Sequence, residues 1–298
     1  MNILYSLVVT LALGFSTVAA HAANVLVVLS DSDRLDLKDG KVFKTGFYLN
    51  ELMQPVKMLI DAGHEVTFAT PLGNAPTVDI TSVDPAYFGG NAKAMAEYQQ
   101  LLDRLAVTSA VKSPVISLKR VEQIGYDHFD AVYIPGGHAP MQDLLVSRDL
   151  GRLLTDFHAR GKITALVCHG PIALMSTLNE PTQFAAQLEA GEKPNPGAWI
   201  YEGYNFTVIS NQEEQRAKSL LQGGEMKFYP QTALEQAGGR FRGNVDAVGP
   251  TIPQAWRRVH RNRPSLVSTP RAIPDRPGIT PRYATEPRIP QSCERRLK

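Results

Sequence analysis

The chain opens its folded part with a continuous apolar run over residues 24–29 (NVLVVL), a pattern typical of a strand that is buried on both faces. Residues 30–44 are polar and predict a loop. Apolar residues then recur at helical spacing over residues 46–62, and Gly63 follows as a helix C-cap. Residues 65–70 predict the next strand. This order predicts a βαβ unit, and hence a parallel sheet with a right-handed crossover.

Residues 71–125 interrupt the alternation of strands and helices. Their first part is rich in turn residues, a helix is predicted over residues 91–105, and a short strand is predicted over residues 114–118. Two interpretations stay open for this segment: an insertion that covers the functional site, or an elaborated edge of the sheet.

Alternation resumes after this segment. The pattern predicts further strands over 131–134, 163–167 and 206–209, and helices over 148–160 and 231–236. A glycine-rich turn, Pro135-Gly136-Gly137-His138, follows the first of these strands. The chain is therefore expected to be an α/β protein, with a mainly parallel sheet sandwiched by helices.

The most informative stretch is the strand at residues 163–167 together with Cys168-His169-Gly170-Pro171. Proline favours the first position of a helix, so a helix is predicted from Pro171 to about Leu178. A strand that turns sharply into a helix is a nucleophile elbow, and Cys168 is the turn residue. The helix N-terminus is expected to favour the thiolate form of Cys168. The alternative is an inert, buried cysteine.

Composition narrows the functional classes. The chain has 298 residues, of which 43% are hydrophobic and 20% charged, and its formal net charge is +2. This balance indicates a globular protein and argues against a dedicated nucleic-acid binder. Cys168 and Cys293 are the two cysteines, too few for a disulfide scaffold, and no Cys/His spacing is typical of a zinc site, so no metal is expected.

Both ends of the chain differ from the middle. Residues 1–22 combine an apolar run with a terminal Ala20-His21-Ala22, which predicts a signal peptide cleaved after Ala22. The remaining protein is then expected to be periplasmic or secreted, with no membrane span.

The tail, residues 244–298, is rich in arginine and proline and is expected to be disordered, or to be read out of frame. A basic arm that binds nucleic acid is the less favoured alternative.

Five stretches together resemble the ThiJ/PfpI superfamily, whose fold is class I glutamine amidotransferase-like and flavodoxin-like. The resemblance covers residues 23–243 and is greatest to the glyoxalase III-like and heat-shock chaperone-like branch. The stretches are residues 46–51 (GFYLNE), 62–73 (AGHEVTFATPLG), 134–138 (IPGGH), 165–171 (ALVCHGP) and 207–214 (TVISNQEE).

The resemblance implies a role for each matching residue. Cys168 matches the nucleophile, His169 its general base, and Glu51 a carboxyl group held against the thiol. Burial beside a thiolate is expected to raise the pKa of Glu51. Glu214 matches the residue that orients the histidine, with Glu213 as the alternative.

The resemblance also implies how the substrate is held. The backbone N–H groups of Gly137 and His169 are expected to form an oxyanion hole. Gly136 and His138 are candidates for the substrate pocket.

The resemblance implies a cofactor-free, cysteine-dependent enzyme that acts on a small aldehyde, converting methylglyoxal to lactate. A homodimer is implied as well. The alternatives are a holdase chaperone of the stress response, a cysteine hydrolase or peptidase, and a copy that has lost its function through its tail.

Overall fold

The computed structural model describes residues 22–243. The strands are β1 Asn24–Val28, β2 Arg34–Asp36, β3 Val42–Lys44, β4 Glu65–Thr70, β5 Ile116–Ser117, β6 Ala131–Ile134, β7 Ile163–Leu166, β8 Asn205–Phe206 and β9 Arg240–Phe241. The α-helices are α1 Leu49–Asp61, α2 Ala92–Leu105, α3 Leu118–Ile124, α4 Arg148–Ala159, α5 Pro181–Glu189, α6 Asn211–Ala217 and α7 Pro230–Gln236. Both terminal predictions, the signal peptide and the tail, concern residues outside this range, apart from Ala22.

A five-stranded parallel sheet forms the centre, in the order β5-β4-β1-β6-β7. Alternate residues of β1 face two separate apolar clusters. Leu26 and Val28 belong to one cluster, whereas Val25 and Val27 belong to the other. Because both faces of β1 are covered, its sequence is a continuous apolar run. The predicted α/β fold with a parallel sheet between helices is confirmed.

Several predicted elements differ from the structure. Residues 30–44 are not a plain loop, because β2 and β3 pair there as an antiparallel hairpin. Each of these strands has three residues and buries one large apolar side chain, Leu35 or Phe43, which is too short a run for alternation to reveal. Helices α3, α5 and α6 were not predicted, and α5 and α6 have only nine and seven residues.

The predicted strand at 206–209 is also wrong in extent and place. Only Asn205 and Phe206 form strand β8, which pairs with β9 outside the central sheet. Further along, the Ile209 N–H donates instead to the carbonyl oxygen of Cys168. This bond holds the segment that leads into α6 against the turn after β7.

The residues before α1 are held by the 71–125 segment rather than by the helix itself. Helix α1 begins at Leu49, not at Gly46, because the Phe47 N–H donates to Thr77 and the Phe47 oxygen accepts from Asp79. The buried Ser82 hydroxyl accepts from the Leu49 N–H at 2.9 Å. The segment thus fixes the start of α1. That it covers the functional site stays a prediction. Within residues 22–243, no helix has the length and apolar character needed to cross a membrane.

Candidate active site

Two turns meet at the carboxyl edge of the sheet. Strands β6 and β7 are parallel neighbours, with Ile134 paired to Leu166, so the turns that follow them lie side by side. A Cβ atom on Gly136 would lie 2.4 Å from the Cβ of Cys168 and 3.0 Å from the backbone nitrogen of His169. Glycine is required here because the side chains of Cys168 and Glu51 and the backbone of His169 leave no space for a Cβ atom. This is the edge at which open α/β sheets place their ligands.

Cys168 has the backbone geometry of a nucleophile elbow. Its φ angle is +56°, a left-handed conformation that is strained for a residue with a side chain. Gly170 allows the turn to pass close to β6, since a Cβ there would lie 2.4 Å from the Ile134 oxygen. The segment that follows, Gly170–Thr177, is a 3-10 helix instead of the predicted α-helix.

The side chains of Cys168, His169 and Glu214 form a continuous line of contacts from the thiol into the protein, called the thiol line below. The Sγ atom of Cys168 lies 3.2 Å from Nδ1 of His169, and Nε2 of His169 lies 2.7 Å from Oε1 of Glu214. His169 is 1% exposed and Glu214 is 2% exposed. With the hydrogen of His169 on Nε2, that N–H donates to Glu214 and leaves Nδ1 free to accept the thiol proton.

The neighbouring acid, Glu213, caps helix α6 instead of contacting the histidine. Its carboxylate accepts from the N–H and the hydroxyl of Ser210, and the Ser210 hydroxyl accepts from the Glu213 N–H, which makes a capping box at the start of α6. The two open candidates for a partner of His169 are thus separated by geometry. Glu214 contacts the histidine, and Glu213 caps the helix.

Opposing effects act on the pKa of Glu214. Burial raises the pKa, but the attraction of His169 and its hydrogen bond outweigh burial, so the net pKa is lowered. Glu214 is therefore a carboxylate at neutral pH. An ionised partner is the form that orients an imidazole and stabilises its protonated state.

Glu51 lies on the other side of the thiol, in the first turn of α1. It accepts from the Gly136 N–H at 3.0 Å and is 7% exposed. Burial raises the pKa of Glu51 to about 7, while His169 and the contact with Cys168 act in the opposite direction. The expected upward shift is therefore present, and a substantial fraction of Glu51 holds a proton near neutral pH.

The Cys168 thiol does not have the pKa that its place at a helix start predicts. Burial raises the pKa of the thiol well above its usual range, and the charge of Glu51 raises it further. The N–H of Gly137 acts in the opposite direction but does not compensate. In this resting structure the neutral thiol is favoured, so forming the thiolate requires a base, and Nδ1 of His169 is in contact with the sulfur.

The predicted oxyanion donors lie beside the thiol. Gly137 has a φ angle of +87°, and a Cβ on it would lie 2.0 Å from the Gly46 oxygen, so glycine is needed there. The Gly137 N–H interacts with the Cys168 sulfur, and the His169 N–H lies on the same turn as the thiol. Their role in binding an oxyanion stays a prediction.

His138 is placed more deeply than its prediction as a pocket residue suggests. It is 5% exposed, and its ring centroid lies 4.4 Å from that of His169 and 5.4 Å from that of Phe43. Burial, helped by repulsion from His169, lowers the pKa of His138 to about 4. His138 is therefore a neutral ring packed against the histidine of the thiol line.

Two tyrosines near the thiol were missed by the sequence analysis. Tyr48 precedes α1 and Tyr87 belongs to the 71–125 segment, and their ring centroids are 5.4 Å apart. Burial raises the pKa of both phenols, and the charge of a Cys168 thiolate contributes to both shifts. Tyr48 stands within the stretch GFYLNE, but nothing in that stretch marks its hydroxyl as part of a site.

A parallel α/β sheet with a strained cysteine between β7 and a short helix, backed by a histidine and a carboxylate, defines a class of nucleophile-elbow proteins. Residues 42–213, more than half of the chain, match a family model described as ThiJ/PfpI family-like. The chain belongs to the ThiJ/PfpI family.

Similar proteins include two with enzyme names. The chain is 27% identical over 196 residues to the protein/nucleic acid deglycase HchA of Pseudomonas aeruginosa, covering 59% of this chain and 64% of that protein. It is also 27% identical over 157 residues to glyoxalase 3 of Candida albicans, covering 53% and 61%. The matched regions thus span less than two-thirds of these relatives.

Solved structures agree on the fold. Glyoxalase III from Candida albicans superposes with a TM-score of 0.54 at 21% identity, over 76% of this chain and 84% of that one. The Rapid Encystment Protein of Francisella tularensis gives a TM-score of 0.55 at 21% identity, over 76% and 86%.

Proposed function

We propose that this protein is a cysteine-dependent enzyme that acts on small reactive carbonyl compounds, and that it converts methylglyoxal to lactate without a cofactor. One observation carries the proposal: the continuous line from Cys168 Sγ through both nitrogens of His169 to Glu214, with gaps of 3.2 Å and 2.7 Å. This arrangement activates a thiol by giving its proton an acceptor and giving that acceptor a fixed tautomer.

The first step is addition of the thiol to the aldehyde. His169 Nδ1 takes the thiol proton, and the sulfur forms a bond to the aldehyde carbon while the carbonyl electron pair moves onto oxygen. The N–H groups of Gly137 and His169 are the proposed donors to that oxygen. The proton held on Nδ1 then passes to the oxygen, which completes a hemithioacetal.

The second step moves a proton between two carbons. A base removes the hydrogen of the former aldehyde carbon, the electrons shift through an enediol, and the neighbouring carbon is protonated. The product is a thioester of Cys168 with lactate. His169 and Glu51 are both in contact with the thiol, and the pKa of about 7 suits Glu51 to exchange a proton near neutral pH.

The last step is hydrolysis of the thioester. Water attacks the carbonyl carbon, the bond to sulfur breaks, and the thiol regains its proton. The sum of the steps is methylglyoxal plus water giving lactate and one proton, so no oxidant or external reductant is needed.

A deglycase reaction would begin in the same way, with a bond between the thiol sulfur and a carbon that derives from a carbonyl group. The name of the Pseudomonas relative makes this the second candidate. The deglycase and chaperone alternatives predict different outcomes in the experiment below. An exported location and a homodimer remain part of the proposal.

The test is methylglyoxal consumption without glutathione, with lactate measured, for the full chain and for Cys168→Ala. Cys293→Ser is the matched control, because it removes the other cysteine of the chain. We expect turnover in the wild type and in the control, and none in Cys168→Ala. In D₂O, lactate that carries deuterium on its methine carbon supports the proton-transfer step.

A folded wild type without turnover of methylglyoxal would overturn the proposal. Release of the amine from a glycated amino acid by that same preparation would favour the deglycase reaction. Suppression of aggregation of a client protein, equal in Cys168→Ala, would favour the chaperone.

A further inference from the structure

Three metal-ligating side chains converge behind the thiol. His138 lies in the turn after β6, His169 in the turn after β7, and Glu214 in the first turn of α6. One potential ligand atom from each lies within 4.8 Å of the other two, and all three residues are buried. They are far apart in sequence, so no spacing motif predicts that they come together.

His138, one of the three residues, also has an unsatisfied polar atom. Its Nδ1 is buried and has no hydrogen-bond partner among residues 22–243, although the residue is only 5% exposed. Leaving such an atom without a partner costs about 1–3 kcal/mol, and most buried polar atoms avoid that cost.

We propose that His138, His169 and Glu214 form a binding site for a divalent transition-metal ion of the Zn²⁺ class. Two imidazoles and one carboxylate are a common protein ligand set for Zn²⁺, with a water as the fourth ligand. Tetrahedral metal–ligand bonds of about 2.0–2.2 Å place the ligand atoms about 3.3–3.6 Å apart. Binding therefore requires closure around His138 from separations of up to 4.8 Å, and opening of the 2.7 Å contact between His169 and Glu214.

Metal binding would prevent His169 from acting as the base for Cys168. The ion takes Nε2 of His169 in place of the hydrogen that is shared with Glu214. The remaining hydrogen of the imidazole must then be on Nδ1, so Nδ1 no longer accepts the proton of Cys168. This consequence rests on the proposed function, because it matters only if His169 acts as the base. The binding itself does not.

The other side of the His169 imidazole, at Nδ1, offers a second location at which a metal ion could bind. On its Nδ1 side lie the sulfur of Cys168 and, beyond it, the Glu51 carboxyl group. Zn²⁺, a borderline-soft ion, also binds thiolates. The two locations share only His169. His138 and Glu214 belong to the proposed site, and Cys168 and Glu51 belong to the competing one.

The test is a Zn²⁺ titration of the metal-free full chain by calorimetry, with the His138→Asn and Cys168→Ser variants beside the wild type. His128→Asn is the matched control, since His128 is an exposed histidine outside the cluster. We expect one ion per wild-type chain, more than about tenfold weaker binding in His138→Asn, and little change in the other two variants. Circular dichroism checks that each variant is folded.

A second measurement does not depend on a variant that folds. Co²⁺ bound to the wild type is expected to show d–d absorption without a thiolate-to-metal charge-transfer band. A charge-transfer band, or binding lost in Cys168→Ser and retained in His138→Asn, places the ion on the thiol and overturns the proposal. No stoichiometric binding to the wild type overturns it as well. If Zn²⁺ binds as proposed but methylglyoxal turnover was never present, only the proposed function fails.

Discussion

Nε2 of His169 lies 2.7 Å from Oε1 of Glu214, and the two side chains are almost completely buried. In such surroundings an ionised acid is retained only when a partner compensates its burial, and the lowered pKa of Glu214 reports that compensation. The pair also decides which nitrogen of His169 carries the hydrogen. We therefore expect the reactivity of Cys168 to depend on a contact made on the far side of the ring.

Replacing Glu214 with glutamine tests that dependence. Glu214→Gln removes the charge that stabilises protonated His169 and allows the wrong tautomer. We expect kcat/KM for methylglyoxal to fall by about a hundredfold or more. The matched control is Glu213→Gln, which weakens the helix cap at Ser210 and should cost about 1 kcal/mol of stability with activity largely retained. Equal losses of activity in both variants would contradict the assignment.

Glu51 should make the protein less stable as the pH rises. Its pKa is about 7 in the folded state against 4.5 as the ordinary value, so between these values the folded chain holds a proton that the unfolded chain has lost. Stability then falls as the pH rises from 4.5 to about 7, by on the order of 3 kcal/mol, and stays lowered above that range. Glu51→Gln should lack this fall, as measured by urea unfolding across the range.

The same substitution, Glu51→Gln, tests whether Glu51 causes the pH dependence of activity. If the protonated form of Glu51 assists the thiol, wild-type turnover should decline as the pH rises through about 7, and Glu51→Gln should lose that decline. Glu97→Gln, at an exposed position on α2, is the control and should follow the wild type. A decline that persists unchanged in Glu51→Gln would assign it to another group.

Adding one methyl group at Gly136 should disrupt the site directly. The new Cβ would lie 2.4 Å from the Cβ of Cys168 and 2.6 Å from Oε2 of Glu51, so one of the two turns has to move. We expect Gly136→Ala to lose about 1–3 kcal/mol of stability and most of its turnover.

The control for this variant is Gly191→Ala, where the φ angle is +72° but the space around the new atom is open. That change should cost about 1 kcal/mol through backbone strain and leave turnover intact. Full activity in folded Gly136→Ala would mean that the contact between the turns is not needed.

Ser82 should contribute to the stability of the fold although it lies outside the thiol line. Its buried hydroxyl accepts from the Leu49 N–H and donates to the Asp79 oxygen, so Ser82→Ala leaves a buried N–H without a partner. We expect a loss of about 1–3 kcal/mol in urea unfolding. Ser109→Ala, which removes a hydroxyl from exposed hydrogen bonds, should change stability by less than about 0.5 kcal/mol.

Much of the framework was predictable because its signals are local. The apolar run of β1, the periodicity of α1 and the elbow around Cys168 each depend on residues close together in sequence. The short elements were not predictable in this way. In β2 and β3 a single apolar side chain per strand becomes meaningful only when the hairpin packs against the core.

By itself the sequence determined that Cys168 follows a strand and that a glycine-rich turn follows the neighbouring strand. The resemblance to the ThiJ/PfpI superfamily singled out Glu51 and the two acids at 213 and 214. It could not choose between those acids, because adjacent side chains on a helix start point in different directions that only packing fixes.

Only the tertiary structure decided that Glu214 contacts His169 and that His138 is buried against the same ring. It also decided that burial raises the pKa of the thiol, where the helix N-terminus was expected to favour the thiolate. Each of these properties depends on which distant segments surround a side chain. The sequence encodes those surroundings through the whole fold, and no local pattern displays them.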